Sequence, residues 1–136
     1  QPDDAAWLRE EQGVGAVLCL QDDDDFAAKR LDPQGMREAY RDSGIEFVRV
    51  PVVDGDSDHL ASRLPEIVDL LHRLVLAGHR VYLHCNAGFN RAPTAAIAYL
   101  HVHGGLDLDA AERLVKQHRA CAPYRRALEI AFPPAR

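Results

Sequence analysis

An α/β domain with a central, mostly parallel sheet flanked by helices is what this sequence predicts, and three observations point there. Short apolar runs alternate with amphipathic stretches along the chain, the pattern of helices packed on a parallel sheet. Residues 14–20 are almost continuously apolar, as a strand buried on both faces must be. At 136 residues the chain is long enough for one domain with a core of its own, without disulfide or metal staples.

The elements follow in order. Residues 3–12 read as a helix, with Pro2 ahead and Gly13 as the stop. The strand at 14–20 is bounded by Gly13 and the acidic run at 22–25. Residues 33–43 form a second helix, ended by Gly44. A second strand spans 45–53, with Pro51 marking it as an edge or a bend. Residues 64–77 make a strongly amphipathic helix, with Leu64, Ile67, Leu71 and Leu74 on one stripe and Gly78 just past its end. A short third strand at 80–84 leads to an Ala-rich helix at 91–103, ended by Gly104 and Gly105. A helix at 108–118 follows, capped by Asp107, and a short one at 125–131 precedes Pro133 and Pro134. No repeat or low-complexity linker divides residues 1–136, which read as one domain.

Composition narrows the function. Apolar residues make up 47% and charged residues 27%, a globular rather than a disordered mix. A net charge of −5 disfavours nucleic acid as a partner, since that needs a dense Lys/Arg surface. No apolar run approaches the roughly 20 residues of a membrane span, and the polar, acidic start is no signal peptide. Because the first residue is Gln1 and not Met, the chain is expected to be a trimmed piece of a longer one. It is expected to work in the cytoplasm, or in an organelle lumen if a transit segment has been removed. Three widely spaced cysteines, Cys19, Cys85 and Cys121, are no disulfide framework. His101 and His103, two apart on a helix, face different ways. No metal and no cofactor are expected, and the oligomeric state is not encoded in any pattern.

The chemistry concentrates at His84-Cys85-Asn86-Ala87-Gly88-Phe89-Asn90-Arg91, a strand, a tight loop and a helix start in succession. Backbone N–H groups in such a loop converge on one point, and the helix N-terminus adds positive potential. The cradle suits one phosphate monoester. Cys85 at its base is expected to be an activated thiol. Arg91 can fold its planar fork over the loop and hold two phosphate oxygens, which Lys cannot copy. His84 can hydrogen-bond the loop backbone and hold the cysteine. A lone buried Cys with a surface Arg would be the bland reading; Cys-x5-Arg at a strand-to-helix junction argues against it.

His84-Cys85-x5-Arg91 resembles the signature loop of the protein tyrosine phosphatase superfamily, and Ala87-Gly88 resembles its dual-specificity branch. The resemblance implies a dual-specificity-phosphatase-like fold, a phosphocysteine intermediate on Cys85, and phosphate held by Arg91 and the loop from Asn86 to Asn90. A leaving-group acid is also required, and the loop after the second strand offers Asp54, Asp56 and Asp58. The family's Pro-x-x-Asp after an apolar strand carries the role onto Asp54, with Asp56 and Asp58 behind it.

Further matches outside the loop are Val17-Leu18-Cys19-Leu20-Gln21 with its acidic run, Arg63-Leu64-Pro65, Arg91-Ala92-Pro93 and Arg119-Ala120-Cys121-Ala122-Pro123. These are similar to the catalytic domain of glucan phosphatases. Ala92 stands where most dual-specificity enzymes have Ser or Thr, and Thr94 lies too far round the helix to replace it. Asn90 and Gly55 depart from the Gly and the aromatic of the glucan group. None of the five residues between Cys85 and Arg91 is basic, which disfavours multiply phosphorylated head groups. The expected partner is therefore a phosphorylated carbohydrate or a phosphoprotein. An RNA 5′-triphosphatase and a non-catalytic phosphate binder are the remaining alternatives. Trp7 reads as core rather than as a sugar platform. Cys19 is either a buried apolar residue or a redox partner that protects Cys85 as a reversible disulfide, and Cys121 reads as structural.

Overall fold

A computed structural model describes residues 8–10, 12–30, 32–85 and 89–133. Three parallel strands, β1 (Ala16–Cys19), β2 (Glu46–Arg49) and β3 (Val81–His84), form a sheet in the order β2-β1-β3. β1 is central and wholly buried, which its unbroken apolar run requires. Alternation along β1 sends Leu18 and Leu20 to one face and Val17 and Cys19 to the other.

Among the described residues, and besides helical residues 8–10, the helices are α1 (Asp23–Ala28), α2 (Pro33–Asp42), α3 (Ser57–Leu76), α4 (Arg91–His103), α5 (Leu108–His118) and α6 (Arg125–Ala131). On one face Leu60, Leu64, Ile67 and Leu71 of α3 pack with Ile97 of α4 and Leu128 of α6. On the other, Phe26, Tyr40, Ile45 and Phe47 form a smaller core, with the Tyr40 and Phe47 rings stacked at 5.3 Å. The α/β architecture expected from the alternating pattern is the one observed. No helix among the described residues is long and apolar enough to cross a membrane.

Three expectations need correction. The acidic run at 22–25 is not a mere boundary. Asp22 and Asp25 make a reciprocal capping box, each carboxylate accepting the other's backbone N–H at 2.8 and 3.0 Å, and so start α1. The strand expected over 45–53 ends at Arg49, before Pro51. The helix expected from 64 begins at Ser57, capped by Asp56, and carries Pro65 in its interior. Of the helix expected at 3–12, residues 8–10 are helical; the rest of it up to Trp7, and residue 11, lie outside the described residues.

Candidate active site

Cys85 follows β3 directly and is 5% exposed. The backbone N–H of Ala92, in the first turn of α4, donates to its Sγ at 3.4 Å. A helix N-terminus therefore points at the sulfur, as the strand-to-helix motif implies. Asn86, Ala87 and Gly88 lie outside the described residues. Beyond them, Phe89 is 48% exposed. Its carbonyl accepts the Ala122 N–H at 2.9 Å, and the Asn90 side chain donates to the Ala122 carbonyl at 2.7 Å. The Thr94 hydroxyl donates to the Asn90 carbonyl at 2.7 Å and accepts from the Tyr124 N–H at 2.8 Å. The hydroxyl is thus engaged both as donor and as acceptor.

Arg91 is the largest fully buried side chain, 1% exposed. Its Nη1 donates to Asp25 Oδ2 at 2.7 Å and to the Val52 carbonyl at 2.8 Å, while Nε lies 3.7 Å from Asp54 Oδ1. Burial opposes the charge on Arg91, but the bonded Asp25 carboxylate outweighs it and holds the guanidinium above its usual range. Burial likewise pushes Asp25 upward, yet the hydrogen bonds from Arg91 and the Asp22 backbone hold its carboxyl below the ordinary range. One guanidinium thereby joins α1, the loop after β2 and α4. Asp25 is a site residue that the sequence reading did not single out, because it took the four consecutive aspartates as the boundary of the first strand. The available signal was the Asp22-x-x-Asp25 box immediately before buried Phe26.

The three acids between β2 and the first turn of α3 have different surroundings. Asp54 sits beside the Arg91 guanidinium. Asp56 caps α3, accepting the His59 N–H at 2.9 Å. Asp58 lies 4.0 Å from Arg126 of α6. Of the three, Asp54 is the one drawn to the motif arginine.

The His84 ring stacks on Tyr82 at 5.0 Å, and its Nε2 is buried without a hydrogen-bond partner among the described residues. Burial pushes His84 down to about 4, although a bond to the Cys85 backbone pulls the other way. The ring next to the thiol is therefore neutral at physiological pH. Because the unfolded chain binds this proton near pH 6.5 and the folded chain only near 4, folding loses stability as pH falls through that window. The loss is at most about 3 kcal/mol. Urea unfolding between pH 7 and 4 is expected to show this decline, and His84→Gln is expected to flatten it. An unchanged slope in the variant would assign the decline to other groups.

Cys19 lies on the strand beside the motif. It pairs with His84 in the β1–β3 register, so its side chain shares the face of His84 and not that of Cys85. It packs in the core of Phe26 and Phe47, whereas Cys85 packs in the core of Leu20 and Leu64. Its thiol bonds Gln21 Oε1 at 3.4 Å, and burial pushes it up to about 11. Cys19, Cys85 and Cys121 are all free thiols. Cys19 is thus packed as a core residue. Among the described residues, no three His, Cys, Asp or Glu side chains converge as a metal site requires.

A parallel α/β fold with a buried cysteine and a pinned arginine across one strand-to-helix loop defines a class, and comparison with known proteins agrees. The family model for the dual specificity phosphatase catalytic domain matches residues 9–127, and the chain belongs to that family. It is 36% identical to the Arabidopsis thaliana chloroplastic phosphoglucan phosphatase LSF1 over 121 residues, 89% of this chain and 20% of that protein. It is 34% identical to the Castanea sativa amyloplastic phosphoglucan phosphatase DSP4 over 132 residues, 96% of this chain and 35% of that protein. The chain thus spans about a fifth to a third of the length of these relatives. The crystal structure of Tk-PTP in the active form superposes with a TM-score of 0.78, at 23% identity over 96% of this chain and 82% of that one. That likeness concerns the fold.

Proposed function

We propose that this domain hydrolyses phosphomonoesters through a phosphocysteine on Cys85, and that its substrate is a phosphorylated glucan. The observation that carries the reading is the meeting of Cys85 Sγ, the α4 N-terminal amide, buried Arg91 and Asp54 at one end of the sheet. In the first step Sγ attacks phosphorus and the ester P–O bond breaks, while Asp54 gives its proton to the departing oxygen. In the second, water attacks the phosphocysteine, Asp54 takes the water's proton, and the S–P bond breaks to return the thiolate. With Nη1 committed to Asp25 and Val52, the Nε–Nη2 edge of Arg91 meets the phosphate.

Three features support the glucan. Two relatives are named phosphoglucan phosphatases. The cradle contributes no basic side chain for further phosphates. Phe89, within the motif, and Val53, next to Asp54 in the chain, are both about half exposed, and sugar rings dock on such apolar faces. Phe89 supplies an aromatic within the motif, whereas Gly55 supplies none after Asp54.

Phosphate release from solubilised phosphoglucan, a phosphotyrosine peptide and 5′-triphosphate RNA tests the reading, with phosphoglucan expected to turn over fastest. Faster release from the peptide or the RNA would reassign the substrate. Phosphate binding without turnover of any of them would make the domain a non-catalytic phosphate binder.

A further inference from the structure

We infer that His59 is a positioning residue for Asp54, its ring serving as the strut that fixes the acid loop. The inference rests on the proposed role of Asp54 and adds a residue outside the signature motif. The loop carrying Asp54 is held on both flanks. Upstream, the Val52 N–H donates to the Leu20 carbonyl at 3.0 Å and its carbonyl accepts from Arg91. Downstream, the Asp56 N–H reaches back to the Val53 carbonyl at 3.3 Å around Gly55, whose φ of 80° is one that few side chains adopt. The remaining group beside the acid is the Val53 N–H, and it donates to His59 Nδ1 at 3.0 Å.

That bond is separate from helix capping. The Asp56 carboxylate caps α3 by accepting the His59 backbone N–H, and the imidazole takes no part in it. The ring instead spends its acceptor on the amide preceding Asp54. Because Nδ1 accepts, the ring proton sits on Nε2. His59 stands in the first turn of α3, next to fully buried Leu60. The strut therefore transmits the rigidity of a 20-residue helix to an otherwise exposed loop. A general acid has to lie within hydrogen-bond reach of the leaving oxygen, so slack at Val53 costs proton transfer more than it costs phosphate binding.

The test separates an acceptor from a mere space-filler, and acid positioning from folding. In His59→Asn the side-chain oxygen lies where Nδ1 was and can still accept the Val53 N–H. In His59→Leu nothing can. On an alkyl phosphate, whose poor leaving group needs the proton, His59→Leu is expected to lower kcat about tenfold or more with KM within twofold. On an aryl phosphate such as p-nitrophenyl phosphate it is expected to change kcat less than threefold. His59→Asn is expected to keep at least half of the wild-type kcat on both. Asp54→Ala is expected to show the same leaving-group bias, and adding His59→Leu to it should cost nothing more. Equal losses on both esters, a His59→Asn as poor as His59→Leu, or additive losses in the double variant would each overturn the inference. A wild-type protein inactive on both esters would instead overturn the phosphatase reading itself.

Discussion

Exchanging sulfur for oxygen in Cys85→Ser is expected to lower turnover of every phosphomonoester by at least about 10⁴-fold, equivalent to about 5 kcal/mol of barrier. The reason is chemical and not architectural. A serine hydroxyl at this position has no adjacent general base among the described residues, since His84 is stacked on Tyr82 and bonded to the Cys85 backbone. An unassisted hydroxyl is a weak nucleophile near pH 7. The fold should survive, because Ser and Cys differ little in volume and the Ala92 N–H can donate to either atom. Phosphate affinity should therefore stay within a few fold of wild type. Steady-state release from the preferred substrate, together with phosphate binding by calorimetry, checks both halves. Retention of even a tenth of the wild-type rate would remove Cys85 from the chemistry.

Asp25→Asn carries the second large effect, at a residue 66 positions from Arg91 in sequence. The pair is buried, with side-chain exposures of 2% and 9%, and breaking such a pair by removing one charge costs roughly 3–5 kcal/mol. Asparagine keeps the shape and can still accept one bond, so the lower end, about 3 kcal/mol, is expected in urea unfolding. The kinetic consequence is separate. Without the negative charge, Nη1 keeps the Val52 carbonyl and at most a weaker, neutral bond at residue 25, and the guanidinium loses much of the anchor that turns its remaining edge toward the phosphate. A fall of about 10²-fold in kcat/KM is expected from such misplacement. A destabilisation under about 1 kcal/mol with unchanged kcat/KM would show that Arg91 is held by something other than Asp25.

What could be read from the sequence follows the range over which each signal acts. The central strand was legible because full burial on both faces leaves no polar residue between 14 and 20. The motif was legible because Cys85 and Arg91 are neighbours across one loop. Asp25 was not, because its burial depends on a partner far along the chain and its local context is three further aspartates. Pro65 misplaced the start of α3, since proline usually opens a helix and the capping role of Asp56 was hidden among acids offered for catalysis. The pairing of Cys19 with His84 was not legible, because strand register is set between segments far apart in the chain.

The three bonds from Ala122 and Tyr124 to Phe89, Asn90 and Thr94 have a consequence for biosynthesis. They span 30 or more positions, so a chain still emerging from the ribosome contains its reactive thiol well before the segment that braces the mouth around it.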